Sequence, residues 1–392
     1  MRVYDMKQTA GFISTYAADV SGVCSALFEL GGMTVMHDAS GCNSTYNTHD
    51  EPRWFDMDSM VYISGLSEIE AIMGDDDKLI GDIVSAAEEL APRFIAVAGS
   101  PIPMVTGMDF DAVAAEIEAR TGIPAFGFST NGMHSYLMGV SRAFEAFAER
   151  MVQDSAGRKQ RTANILGLTP LDFSVNGSAE SIRIFMENAG YEVVSSWAMG
   201  SCLEDVERSA EASVNLVISY SGLEAARVLK KRFGTPYVVG VPIGSMRKRV
   251  EKALKAAENG EGCGVSYDAD GAEKAAQDIV VVGESVFSRS LAQAVEDAAD
   301  KEVSVVCPLE TEMGLLAGRD RQAQFEEEIA AALRGFKMVI ADPLYRPVAP
   351  KNAPFISLPH EAFSGRMFRK DIPNLVDGFD GFLNDLLREV ER

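Results

Sequence analysis

Short runs of β-branched and other apolar residues recur along the chain, and a longer amphipathic stretch follows most of them. Runs of this kind form strands buried on both faces, and helical crossovers between them make the strands parallel. Met33–His37 (MTVMH) reads as the first strand. Asp77–Leu90 has helical spacing and leads into the strand Arg93–Ala98; the helix Phe110–Thr121 stops at Gly122, before the strand Pro124–Ser129. The order repeats in Asn164–Leu168, a helix over Ala179–Ala189, Tyr191–Ser196, Val214–Tyr220, the helix Gly222–Phe233 and Pro236–Val241. A third series holds the strand Ile279–Val282, the helix Arg289–Asp300, strands at Val303–Cys307 and Lys337–Ala341, and a last helix over Gly381–Glu391. Polar, glycine-containing stretches at Gln153–Arg161 and Glu258–Gly264 separate the series.

A chain of 392 residues also exceeds what one ordinary core serves. The expected fold is therefore α/β, with three Rossmann-like domains whose parallel sheets are flanked by helices. Residues 1–155 form an N-terminal arm and the first domain, 160–275 the second, and 276–392 the third with the C-terminal helix. In such sheets ligands collect at the carboxyl ends of strands and in clefts between domains.

Composition narrows the function class. Hydrophobic residues at 47% and charged residues at 24% describe an ordinary globular protein. No apolar run reaches the roughly 18–20 residues that span a bilayer, and MRVYDMKQTAGF lacks the apolar region of a secretory signal, so the expected location is the cytoplasm. A net charge of -22 leaves no basic stripe for nucleic acid; it suits a basic patch on a protein partner as well as plain solubility. Five widely spaced cysteines argue against a disulfide framework, and no CxxC pair supports a zinc ribbon or ferredoxin motif. Neither GESVFSRS nor GSMRKR supplies a P-loop, and no GxGxxG follows a strand, so any ATP would bind to a partner.

The segment Val23–Cys42, VCSALFELGGMTVMHDASGC, holds two cysteines. Cys42 lies in a loop just beyond a strand, where a thiolate near backbone N–H groups can bind iron. Cys24 lies on the preceding helix. On residue chemistry alone each is equally a small buried hydrophobe, and two thiols are half the usual set for a [4Fe–4S] cluster.

HDASGC resembles the His-Gly-Pro-x-Gly-Cys signature of nitrogenase component 1 proteins, a family that also holds cofactor-assembly scaffolds and tetrapyrrole reductases. GLSEIEAIMGDDDKLIGDI, RFIAVAGSPIPMVTGMDFDAVAAEIEARTGIPAFGF, NILGL, SSWAMGSCLEDVERSAEASVNLVISYSGLEAARVLKKRFGTPYVV, VVGESVFSRSLAQAV and PFISLPHEAFSGR with GFDGF follow in the family's order. The resemblance covers nearly the whole chain. It implies a nitrogenase-like oxidoreductase subunit that accepts electrons from an ATP-dependent reductase of the iron-protein type, docked around the Cys42 loop. Electrons would pass an interface [4Fe–4S] cluster to a substrate between the domains; a non-catalytic scaffold for a metallocluster or tetrapyrrole precursor is the alternative.

The departures are specific. The family's interface cluster takes three cysteines per subunit, and Cys42 matches the second. Tyr16–Ala17 stands at the first and Ser100 at the third, where the hydroxyl would bond a cluster sulfide or cap a turn. Cys24 and Cys42 from each of two chains would restore four thiolates, in a homodimer or with a homologous subunit. His360, in LPHEAFSG, lies close to the family's cofactor-ligating histidine; its plainer role is a half-buried imidazole bonded to backbone. Ser219, in VISYSG, replaces the cysteine ligand of the same cofactor, which points away from dinitrogen and toward a tetrapyrrole or other substrate. Cys202 and Cys307 follow strands aimed at the cleft, His134 with Asn131 and Tyr136 is a candidate lining group, and Cys263 and His49 carry no assignment.

Overall fold

The structure, a computed structural model, describes residues 11–13, 16–39, 41, 43, 46–268, 278–299 and 301–390. Cys42 lies outside these residues. The strands form three parallel sheets. The first holds β1 (Met33–His37), β2 (Met60–Ile63), β3 (Ile95–Gly99) and β4 (Ala125–Phe128) in the order β2-β1-β3-β4. The second holds β5 (Lys159–Leu166), β6 (Glu192–Ser196), β7 (Ala212–Val217), β8 (Tyr237–Val239) and β9 (Gly264–Val265), ordered β6-β5-β7-β8-β9. The third holds β10 (Ile279–Val282), β11 (Val303–Cys307), β12 (Arg321–Gln322), β13 (Met338–Ala341) and β14 (Phe355–Ser357), ordered β12-β11-β10-β13-β14. The central strands β1, β3, β7, β10, β11 and β13 are buried along their whole length, as two-sided helix cover requires.

The α/β expectation holds, and most expected elements fall within a few residues of their places. The strands that escaped it are short and sit at sheet edges: β2, where MVYI is half exposed, and β9, β12 and β14, of two or three residues each. The C-terminal helix begins earlier than expected, at Leu375, and packs across the second sheet's helices rather than its own. Asp377 accepts from Ser181 Oγ and from Arg247, Asn374 donates to Ser181, and the Phe379 ring lies against Gly244. The N-terminal arm crosses to the third sheet. The N–H groups of Gly11, Phe12 and Ile13 all point at Glu326 Oε2, at 2.8–2.9 Å, and the Ala17 N–H donates to the Ala362 carbonyl.

Two helices cross with their backbones in contact. A Cβ on Gly22, in the helix Asp19–Leu27, would overlap the Tyr136 carbonyl; one on Gly139, in the helix Tyr136–Arg150, would overlap the Asp19 carbonyl. Glycine at both positions permits an approach that any side chain would prevent. The same helix carries Cys24 into the core. Nearby, Arg53 is 3% exposed and holds Glu51 through Nε at 2.7 Å and Glu29 at 2.8 Å, while donating to the carbonyls of Ser25 and Ala198. This buried ion pair joins the first sheet's loops to those of the second.

The crossing makes a direct prediction. Gly139→Ala should destabilise the protein by about 2–3 kcal/mol through overpacking, whereas Gly81→Ala, at a helical site with open space around it, should stabilise it by about 0.5–1 kcal/mol. Denaturant midpoints of the two variants give the comparison, and a Gly139→Ala protein as stable as its parent would contradict the packing.

Candidate functional site at the three-sheet junction

The carboxyl ends of strands from the second and third sheets converge where the helix Tyr136–Arg150 of the first begins. β5 ends at Leu166, and the turn beyond it enters the helix Pro170–Phe173, which carries Asp172. β10 ends at Val282, and Glu284 precedes the helix Ser285–Ala299. β13 runs into Asp342, and His360 caps the helix Glu361–Phe368 beyond β14. Each acid or imidazole thus sits one short loop past a strand end.

Residues of all three units meet there. The Tyr136 hydroxyl donates a short hydrogen bond to Asp172 Oδ1, and His360 Nε2 lies 3.6 Å from the same oxygen. The His360 ring stacks on Phe363 with centroids 4.5 Å apart, and its buried Nδ1 has no hydrogen-bond partner among the described residues. Its backbone N–H donates to Asp342 Oδ2 at 2.8 Å, which also accepts from Ser364 Oγ at 2.6 Å. Burial raises the Asp342 carboxyl above its ordinary range. Burial, and then the Asp172 carboxylate, push the Tyr136 phenol well above its ordinary value.

Glu284 is 2% exposed and accepts from the N–H groups of Tyr220, Val286 and Phe287 at 2.8–3.0 Å. It caps its own helix and ties it to the second sheet's Ser219 loop. Burial, followed by repulsion from Asp172, pushes this carboxyl up to about 7, against the three N–H donors. The cleft bounded by Asp172, Glu284, Asp342 and His360 has free space of about 30 Å³, room for one or two waters. Among the described residues no lysine or arginine lines it.

The sequence-predicted residues divide sharply. His360 lines this cleft. Cys24 does not: it is fully buried on its helix, and burial, then the nearby Glu51, push its thiol far above the ordinary range. A thiol inside the core of its own chain presents no face to a second chain. Ser100 caps nothing with its side chain; its Oγ donates to Asp38 Oδ1 at 2.6 Å, and it is 1% exposed. The Tyr16 ring packs on Phe363 at 4.7 Å and its hydroxyl accepts from Tyr345 at 2.8 Å. Ser219 is closed into its own turn by Ser221.

Cys307 is buried at the end of β11, with Sγ 3.6 Å from the Leu309 carbonyl, and Cys202 is exposed beside Asp205. Cys263 accepts from the Tyr237 N–H, and the His49 carbonyl accepts from Arg369. Of the His134 group only Tyr136 bonds a residue of the cleft wall, Asp172; His134 lies 3.5 Å from Glu310, with its imidazole partly exposed. Among the described residues no group of three or more His, Cys, Asp or Glu is arranged to hold a metal ion.

Sequence reasoning missed Asp172, Glu284 and Asp342. Their signal is present in TPLD, VGES and IADP, each an acid placed just past a buried strand. Aspartate and glutamate are too common for that position alone to single them out, whereas cysteine and histidine are rare enough to stand out.

The family model for nitrogenase component 1 type oxidoreductases matches residues 21–333. The chain belongs to this family. Among curated relatives, the nitrogenase iron-molybdenum cofactor biosynthesis protein NifE of Clostridium pasteurianum is 27% identical over 179 residues, 45% of this chain and 38% of its own length. A light-independent protochlorophyllide reductase subunit of Prosthecochloris aestuarii is 27% identical over 192 residues, 46% of this chain and 35% of the relative. The nitrogenase molybdenum-iron protein alpha chain of Azospirillum brasilense is 25% identical over 46% of this chain and 39% of its own length. These matches thus span little more than a third of each relative. A solved nitrogenase structure, described as nitrogenase Cp1 at pH 5, superposes with a TM-score of 0.68 at 16% identity, covering 99% of this chain and 90% of that one. The component 1 fold therefore extends over nearly all of this chain.

The Glu284 carboxyl yields a pH dependence for this component 1 protein. A raised acid favours the protonated fold, so its contribution is full below pH about 4.5 and is lost as pH rises through about 7. Glu284→Gln keeps an oxygen acceptor without the charge. Between pH about 5 and 8 the parent should lose on the order of 2–3 kcal/mol more than the variant, read from denaturant midpoints. Identical pH slopes would show that Glu284 is not held in this way.

Proposed function

We propose that this chain is the substrate-binding component of a nitrogenase-like reductase. It holds the molecule to be reduced at the three-sheet junction and receives electrons from a docked reductase of the iron-protein type. The observation that carries the reading is the meeting of Tyr136, Asp172 and His360, one from each unit, around one carboxylate oxygen. A reduction consumes protons as well as electrons. These three side chains set a phenol, a carboxylate and an imidazole around one oxygen. A bound molecule or water bridging Asp172 and His360 Nε2 can exchange a proton there, and the Phe287 and Phe363 rings form part of the cleft wall.

The partner reading rests on a surface. Ile69, Ile72 and Met73, on the helix Glu68–Met73, are each about three-quarters exposed, and Met104 and Val105 on the helix Pro101–Thr106 are also exposed. Asp75, Asp76 and Asp77 rim this patch, which follows the loop of Asp38 and Ser100. An apolar centre inside an acidic border suits a partner with a basic docking face, and suits a second copy of a chain with net charge -22 poorly.

The cofactor reading narrows accordingly. A [4Fe–4S] cluster supplies single-electron transfer when bound, and Cys42 remains the thiolate proposed for it. Cys24 is a packing thiol in this reading. Two copies of Cys42 about a dimer axis give half the usual four ligands, so the remaining donors would come from other side chains or from a homologous subunit. With Ser219 in place of a thiolate, and with three carboxylates and no cation on the cleft wall, a large anionic metallocluster is poorly matched, and dinitrogen with it. The second reading, a scaffold without turnover, is favoured by the burial of Cys24.

Protein purified without oxygen tests both. The reductase reading expects about four irons per dimer, lost in Cys42→Ala and retained in Cys24→Ala, which should only lower stability by about 1 kcal/mol. Iron loss in Cys24→Ala would reinstate it as a ligand. ATP-dependent oxidation of an added iron-protein-type reductase supports the enzyme; iron binding without such oxidation supports the scaffold.

A further inference from the structure

A groove on the first sheet, away from the junction, has the form of a small-molecule site. Met33, Val35 and His37 alternate onto one face of β1, and the register Val35↔Tyr62 puts Tyr62 and Ser64 on the same face. The helix Asp76–Leu90 covers this face over β1 and β3, where Leu79 and Ile83 complete an apolar core with Met33 and Val35. It stops short of the edge strand β2. The result is a concave site of about 280 Å³, close to the small end of ligand pockets. Its Tyr62 ring is 42% exposed.

Charge sets what such a groove accepts. Glu70, Asp75, Asp82 and Glu89 line it, against the single ammonium of Lys78. That ammonium is already committed to Glu70 at 2.8 Å and Asp82 at 3.7 Å. Among the described residues, Asp75 and Glu89 have no basic partner. An anion would therefore meet a wall of net negative charge, whereas an ammonium finds carboxylates in excess of the one lysine beside an aromatic face.

We propose that this groove binds a small organic cation with a flat apolar body. The body lies on Val35, Ile83 and the Tyr62 ring, and the charged end sits beside Asp82, at the middle of the helix that walls the groove. The inner wall of the groove is linked to the loop that leads to Cys42. His37 Nδ1 lies 2.8 Å from Ser64 Oγ, Ser64 Oγ accepts from the Asp38 N–H at 3.2 Å, and the Asp38 carboxylate accepts from Ser100. A ligand seated here thus touches the hydrogen bonds that hold the Asp38 loop. This site is independent of the reading of the junction.

Calorimetric titration of the full chain with tryptamine and with indole-3-propionate, a matched cation and anion, tests the site. Tryptamine should bind at least about tenfold more tightly, a preference that falls toward parity in Asp82→Asn. Ala86→Trp, which fills the groove from the partly exposed side of its helix, should remove tryptamine binding while leaving the melting temperature near that of the parent. Equal affinity for the two probes, no binding of either, or full binding by Ala86→Trp would overturn the proposal. If Ala86→Trp does not fold, the response of Asp82→Asn decides alone.

Discussion

Where the helices Asp19–Leu27 and Tyr136–Arg150 cross, two backbones touch through Gly22 and Gly139. Much else depends on that contact. The Asp19 carboxylate accepts from the N–H groups of Asn131 and Gly132, the Asp19 N–H donates to the His134 carbonyl, and the Tyr136 N–H donates to the Ala17 carbonyl. The loop before Tyr136 is thereby fixed, and its phenol is delivered to Asp172 in the second unit. The same approach seals Cys24 inside the core.

Apolar packing joins the units, with Phe144 against Trp197, Phe173 against Phe287 and Tyr16 against Phe363, and a few polar links cross the junction beside it. Tyr136 reaches Asp172, Glu284 takes the Tyr220 N–H, Ser135 reaches Glu310, and Glu361 joins Ser174 to Arg369. Polar links of this sort fix orientation within a contact whose area is largely apolar.

The α/β rhythm was legible because buried parallel strands leave continuous apolar runs, and crossover helices leave an amphipathic period. Met33–His37, Phe110–Thr121, Ile279–Val282 and Val303–Cys307 fall where those patterns put them. Edge strands such as β2 and β14 were not legible, being short and partly exposed. Of the groups that share the candidate cleft, only His360 was singled out from the sequence. His360 stood out as a rare residue near a familiar pattern, whereas Asp172, Glu284 and Asp342 are common residue types whose meaning comes from burial.

By itself the sequence determined the fold class, the succession of three α/β units and membership in a component 1 family, because periodicity and ordered motifs are local properties of the chain. Tertiary structure alone decided which groups share a site. The distance from Asp172 to His360 spans most of the second and third units in sequence and 3.6 Å in space. It also put Cys24 in the core, since the glycines that bury it act only through a helix more than a hundred residues away.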